Sequence, residues 1–141
     1  MITDDGIGQD RSGGIRVLID TGVDALPTVL DEVRATLRDW GVADRIEDAA
    51  LVVDELVVNA TTHVGGELVI LVLPLTDGFR IEVVDQDPDF RRHASAPSPD
   101  RYGLKIVDAA CDRWGVSCVI GPGVGKVVWA EFVSDPPPAA S

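Results

Sequence analysis

Between Arg45 and His63 the chain places Glu55, Asn59 and Thr62 within two turns of a helix. At about 100° per residue, Glu55 and Asn59 lie about 40° apart in projection, with Thr62 on the same stripe. A carboxylate and a carboxamide one turn apart can organise a hydrated Mg²⁺. The Asn oxygen ligates the ion, and the carboxylate orients or deprotonates a nearby nucleophile. The solvated side of an ordinary amphipathic helix has the same composition. Farther on, Asp85 closes the run Val83-Val84-Asp85. A buried carboxylate at a strand end can accept from the exocyclic amine of adenine, and an aspartate is equally a common turn-starting residue. Gly103, in Arg101-Tyr102-Gly103-Leu104, precedes a helix. A glycine there lets an anion approach free backbone N–H groups along the helix dipole, or serves only as a hinge.

The elements that must position these groups follow from periodicity. Ile15 to Asp20 reads as a strand. Leu26, Val29, Leu30, Val33, Leu37 and Trp40 recur at helical spacing, predicting a helix over residues 25–40 that Gly41 ends. A second helix runs from Arg45 to His63 with Asp44 as N-cap, and its core face carries Ile46, Ala49, Ala50, Val53, Leu56, Val57, Ala60 and Val64. Leu68 to Leu73 and Phe79 to Val84 are strands around the turn Thr76-Asp77-Gly78. Residues 86–101 are polar and broken by Pro88, Pro97 and Pro99, the mark of a functional or mobile loop. A third helix spans Leu104 to Asp112, and the strands Gly115 to Ile120 and Lys126 to Val133 follow. This order predicts an α/β (α+β) two-layer sandwich, a mixed five-stranded sheet covered on one face by three helices. Residues 1–13 read as a disordered leader, 14–134 as one domain, and 135–141 as a disordered Pro-rich tail.

Composition narrows the partners. Twelve Lys and Arg against 24 Asp and Glu give 141 residues a net charge of −12, which repels nucleic acid. A nucleotide remains compatible where Mg²⁺ neutralises its phosphates. No apolar run approaches the roughly 18 residues of a membrane span, and the acidic start Met1-Ile2-Thr3-Asp4-Asp5 lacks a signal pattern, so a cytoplasmic location is expected. Cys111 and Cys118 match no zinc spacing and read as reduced packing thiols.

Taken together, the segments resemble one family. Leu51-Val52-Val53-Asp54-Glu55-Leu56-Val57-Val58-Asn59-Ala60-Thr61-Thr62-His63 resembles the N box of the GHKL (Bergerat-fold, histidine kinase-like) ATPases, particularly the anti-sigma-factor serine/threonine kinase branch. Val84-Asp85-Gln86-Asp87-Pro88 resembles the abbreviated adenine-binding box, and Tyr102-Gly103-Leu104-Lys105-Ile106-Val107-Asp108 the second glycine box. Cys111-Asp112-Arg113-Trp114-Gly115-Val116 and Gly125-Lys126-Val127-Val128-Trp129-Ala130-Glu131 look like the branch's final strands. The likeness covers residues 15–133 in the family's order.

The resemblance implies a GHKL ATP-binding fold with ATP and Mg²⁺ as cofactors. Asn59 would ligate Mg²⁺, Glu55 would be the general base, Asp85 would read adenine, and residues 86–101 would form a lid. Gly103 and Leu104 would meet the phosphates, with Arg101, Lys105 and Thr62 beside them. The implied activity is transfer of the γ-phosphate to Ser or Thr of an antagonist protein, sequestration of a sigma factor, or both, in a protein that often forms homodimers. Arg101 stands where the family's second box usually has glycine, and Thr62 where its N box often carries Arg or Lys. These departures give the alternative reading, a protein-interaction module with weak or lost turnover. Gly121-Pro122-Gly123-Val124-Gly125-Lys126 superficially suggests a phosphate loop, but Ile120 and Val127 stand where a Walker A needs Gly and Ser or Thr, so a hairpin turn is expected.

Overall fold

The computed structural model describes residues 7–9, 15–19, 22–63, 68–85, 104–119 and 125–134. In chain order these form β1 (Ile7–Gln9), β2 (Ile15–Ile19), α1 (Gly22–Asp39), α2 (Ile46–His63), β3 (Leu68–Leu75), β4 (Gly78–Asp85), α3 (Lys105–Ala110), β5 (Arg113–Val119) and β6 (Gly125–Val133). The expected lid and the Pro-rich tail lie outside the described residues. Within the expected disordered leader, Ile7–Gln9 is a strand paired with β2.

α1 buries Leu26, Val29, Val33 and Leu37, the stripe that its periodicity requires. It starts one turn earlier than the apolar pattern suggests. Gly41, at φ +83°, ends it. The Gly41 N–H donates to the Arg38 carbonyl at 3.0 Å and the Val42 N–H to the Leu37 carbonyl at 2.9 Å. That paired arrangement satisfies two orphan carbonyls and needs the left-handed backbone that glycine tolerates. α2 buries Ala49, Ala50, Val53, Leu56, Val57 and Ala60 as expected, and also Val52. Asp44, read as the cap of α2, stands two residues before Ile46, and its carboxylate accepts the Ser134 hydroxyl at 3.0 Å.

The expected mixed, five-stranded sheet is corrected. Among the described residues there are six strands in the order β1-β2-β3-β4-β6-β5, and every pairing is antiparallel. The cause is connectivity. One crossover helix between neighbouring strands would make them parallel. Here two helices, α1 and α2, join β2 to β3 and return the chain to the end it left. Hairpins join β3 to β4 and β5 to β6, and α3 with β5 intervenes between β4 and β6.

Alternation sorts the sheet into two faces. Leu68, Ile70 and Val72 of β3, Phe79, Ile81 and Val83 of β4, and Val128, Ala130 and Phe132 of β6 join residues of all three helices in a single apolar cluster. The helices therefore cover one face, as expected. Phe79 and Phe132 stack there with centroids 4.7 Å apart. The opposite face carries Arg80, whose guanidinium sits 4.3 Å from the Trp129 ring centroid and bonds Glu82 at 2.7 Å and Glu131 at 2.8 Å. Trp129 lies across from Gly115, where a Cβ would come within 2.5 Å of the indole. Only a residue without a side chain leaves that ring its place.

Candidate functional site

Strand and helix directions decide which ends meet. α2 finishes at His63 and β3 begins at Leu68, one short connection later. In the β3–β4 ladder Val69 opposes Val84, so β4 finishes where β3 begins. β6 starts at that same end, with Lys126 opposite Asp85. The last turns of α2, holding Asn59 and Thr62, thus share one end of the molecule with Asp85. α3 runs from this end toward the start of α2, where the Ala110 carbonyl accepts from Arg45 at 2.8 Å.

α2 presents its polar stripe on a flank. Its solvent face carries Glu47, Leu51 and Val58, all exposed, and its core face is apolar. Glu55 and Asn59 are half-buried between the two. Asp48 shares this flank by helical geometry. Arg45 bonds Asp48 at 3.2 Å and also reaches Asp112 at 2.9 Å, just beyond α3. The Arg45 contacts thus bring the start of this flank close to the end of α3, and Glu55 and Asn59 lie between the exposed and the core faces of α2.

Asp85 is the last residue of β4 and continues its helix-facing row Phe79, Ile81, Val83. It is buried, not a solvated turn starter. Its Oδ2 lies 3.4 Å from Nζ of Lys126, and the two side chains are only 1% and 4% exposed. Dehydrating both charges costs several kcal/mol per ion, and the mutual attraction offsets this only in good geometry. Lys126 was not a candidate on sequence grounds. One signal did exist: alternation along β6 puts it in phase with the buried Val128, Ala130 and Phe132.

The other candidates are less gathered. Leu104 is fully buried in the core, so its side chain serves packing and only its backbone could meet a ligand. Lys105 is exposed at the start of α3. Thr62 lies in the last turn of α2, and its side chain is outside the description. Arg101 and Gly103 lie outside the described residues. Among those described, no group of three or more His, Cys, Asp or Glu side chains could hold a metal ion. A Mg²⁺ that keeps its waters and is bound largely by substrate phosphates needs few protein oxygens, and the Asn59 carboxamide offers one.

The Gly-rich stretch before Lys126 joins two paired strands, with Val119 opposite Gly125. A phosphate loop leads from a strand into a helix, so the hairpin reading holds. Cys111 is a free, half-buried thiol. Burial first, and then the charges of Asp108 and Asp112, push its pKa up to about 11, which suppresses the nucleophilic thiolate. No helix among the described residues is long and apolar enough to cross a membrane. No protein-family model and no curated protein matches this chain.

Proposed function

We propose that this chain is a cytoplasmic, ATP-binding regulatory protein of the GHKL type that acts as an anti-sigma-factor serine/threonine kinase. One observation carries the reading. A half-buried carboxamide, Asn59, and a buried carboxylate, Asp85, occur at one end of the α2–sheet layer pair, with the half-buried Glu55 one turn back along α2. In this reading Asp85 accepts from the adenine amine, and the Asn59 oxygen helps hold Mg²⁺ against the phosphates. When bound, the ion would supply charge neutralisation to the phosphates. Glu55 takes the proton from a Ser or Thr hydroxyl of an antagonist protein as that oxygen bonds the γ-phosphorus. The bond to the β-phosphate oxygen breaks and ADP leaves. Positioning and electrostatics do most of the work in such transfers. Arg101, Gly103, Leu104 and Lys105 precede or open α3, where backbone N–H groups suit phosphate. The partners are an antagonist protein, a sigma factor, or both, with a homodimer as the assembly.

The test is titration of the purified protein with Mg-ATP, repeated with Asn59→Ala, followed by a lysate pull-down with and without ATP and phosphosite mapping of what is captured. ATP-dependent capture of a protein phosphorylated on Ser or Thr supports the kinase. Equal Mg-ATP affinity in both proteins removes the metal role.

One feature favours a second reading, a GHKL-like interaction module without turnover. Lys126 already engages the carboxylate that should read adenine. Absence of any ATP binding by the wild-type protein would select it.

A further inference from the structure

β3 is apolar on both of its faces. Leu68, Ile70 and Val72 fill the core, and the alternate residues Val69, Leu71 and Leu73 are apolar too, although the three helices cover only the other side. An antiparallel strand with one solvated face alternates apolar-in and polar-out, whereas a strand covered on both sides reads as a continuous apolar run. The registers extend this outer field across the sheet. Val69 lies beside Val84, and Val84 beside Val127; Leu71 shares the next row with Glu82 and Trp129. These side chains are half-buried.

The charges on this face select what covers it. Arg80 bonds Glu82 and Glu131, and Arg113 bonds Glu131. Two positive and two negative groups cancel there, in a chain whose net charge is −12. Copies with that charge repel one another over most of their surface, so a self-contact belongs on a neutral apolar patch. A strongly basic or acidic partner finds no complementary potential on it.

We propose that two copies of the chain pack through this outer face, sheet against sheet, about a two-fold axis that runs along the strands between β4 and β6. Sheets stacked in this way lie about 10 Å apart, with strand directions within about 30° of each other. The axis exchanges β4 with β6 and β3 with β5, so residues paired along the β4–β6 ladder come to face each other between copies. Arg80 of each copy meets Glu131 of the other, and Val84 meets Val127. Leu71 meets the indole that Trp129 lays across Gly115. The patch is thus self-complementary, as an isologous contact requires. Both helix layers, with Glu55 and Asn59, are left facing outward. The inference deepens one part of the reading above, the homodimer, and draws on neither ATP binding nor transfer.

The experiment is sedimentation equilibrium of the nucleotide-free wild-type chain, joined to hydroxyl-radical footprinting above and below its dissociation constant. The expected result is a dimer in which Trp129 becomes protected, with Trp40 and Trp114, which pack on the core side, as references. Leu71→Lys and Val127→Lys, on two strands of the face, should each weaken association about a hundredfold or more with an unchanged circular dichroism spectrum, because each buries an unpaired charge. A wild type that stays monomeric overturns the proposal, whether the face is bare or covered by another part of the chain. So does a dimer that leaves Trp129 as reactive as in the monomer, or one that both folded variants leave intact. The footprint needs no substitution, so it decides the matter even where a variant fails to fold. Mg-ATP titration of the same sample tests the nucleotide reading separately, and its failure leaves the dimer in place.

Discussion

Arg45, at the entrance to α2, donates through Nη1 to the Asp112 carboxylate at 2.9 Å and so ties the start of one helix to the chain just beyond α3. The same guanidinium donates to the carbonyls of Ala110 at 2.8 Å and Val133 at 3.0 Å, and lies 5.2 Å from the Phe132 ring centroid. One planar, always-charged fork thereby sets the spacing between α2, α3 and the end of β6.

Replacing Arg45 by Met keeps its aliphatic bulk and removes every one of these bonds. The expected loss is about 1–3 kcal/mol of stability, because Asp112 and two carbonyls lose a charged donor. Urea unfolding followed by circular dichroism measures it. A midpoint unchanged from wild type would show that the clasp is dispensable.

Asp112 gives the stability an acid limb. The Val133 N–H donates to its Oδ2 at 2.7 Å, and this bond, together with the Arg45 contact, holds its pKa below the usual carboxylate range. A carboxyl whose folded pKa is depressed adds stability that is fully present above its unfolded pKa, near 4, and is lost as pH falls through the folded value. The urea midpoint should therefore fall below about pH 4. In Asp112→Asn that fall should be shallower, and an identical acid limb would exclude Asp112 as its source.

Gly115 should tolerate no side chain while Trp129 keeps its place. Gly115→Val drives its Cβ into the indole, which predicts a cost of about 1–3 kcal/mol and a changed Trp environment. The double variant with Trp129→Ala should be less unstable than the sum of the two single changes. Additive losses would show that the two positions do not meet.

Glu55 and Asn59 should separate binding from transfer. Glu55→Gln is expected to keep Mg-ATP affinity within a fewfold and lose about 10²–10⁴ of the phosphoryl-transfer rate, as removal of a general base does. Asn59→Ala should instead weaken the Mg²⁺-dependent part of binding. Isothermal titration with and without Mg²⁺, paired with a radiolabel transfer assay on the captured partner, checks both. A Glu55→Gln protein with full transfer rate would remove it from the chemistry.

Cys111 should resist alkylation. With a pKa of about 11, only ~1 in 1,000 of its molecules is thiolate at pH 8, so iodoacetamide labelling should run far slower than for a free thiol. Peptide-level mass spectrometry distinguishes Cys111 from Cys118. Rapid modification of Cys111 in the folded protein would contradict the burial.

Much of this protein is written in local periodicity. The stripe Leu26, Val29, Val33, Leu37 declared α1, Gly41 declared its end, and the two hairpins were visible in their turn residues. The polar pair Glu55 and Asn59 was legible because an i, i+4 relation lies within one helix. Tertiary structure alone decided the rest. Strand direction follows from how many elements intervene between partners, so the wholly antiparallel order β1-β2-β3-β4-β6-β5 could not be read from any one segment. The meeting of Lys126 with Asp85 depends on β6 inserting beside β4 in one register. A shift of β6 by one residue would turn Lys126 to the other face, away from Asp85. Sequence can name a charged residue in phase with an apolar row, but only the folded sheet says which opposite charge it will face.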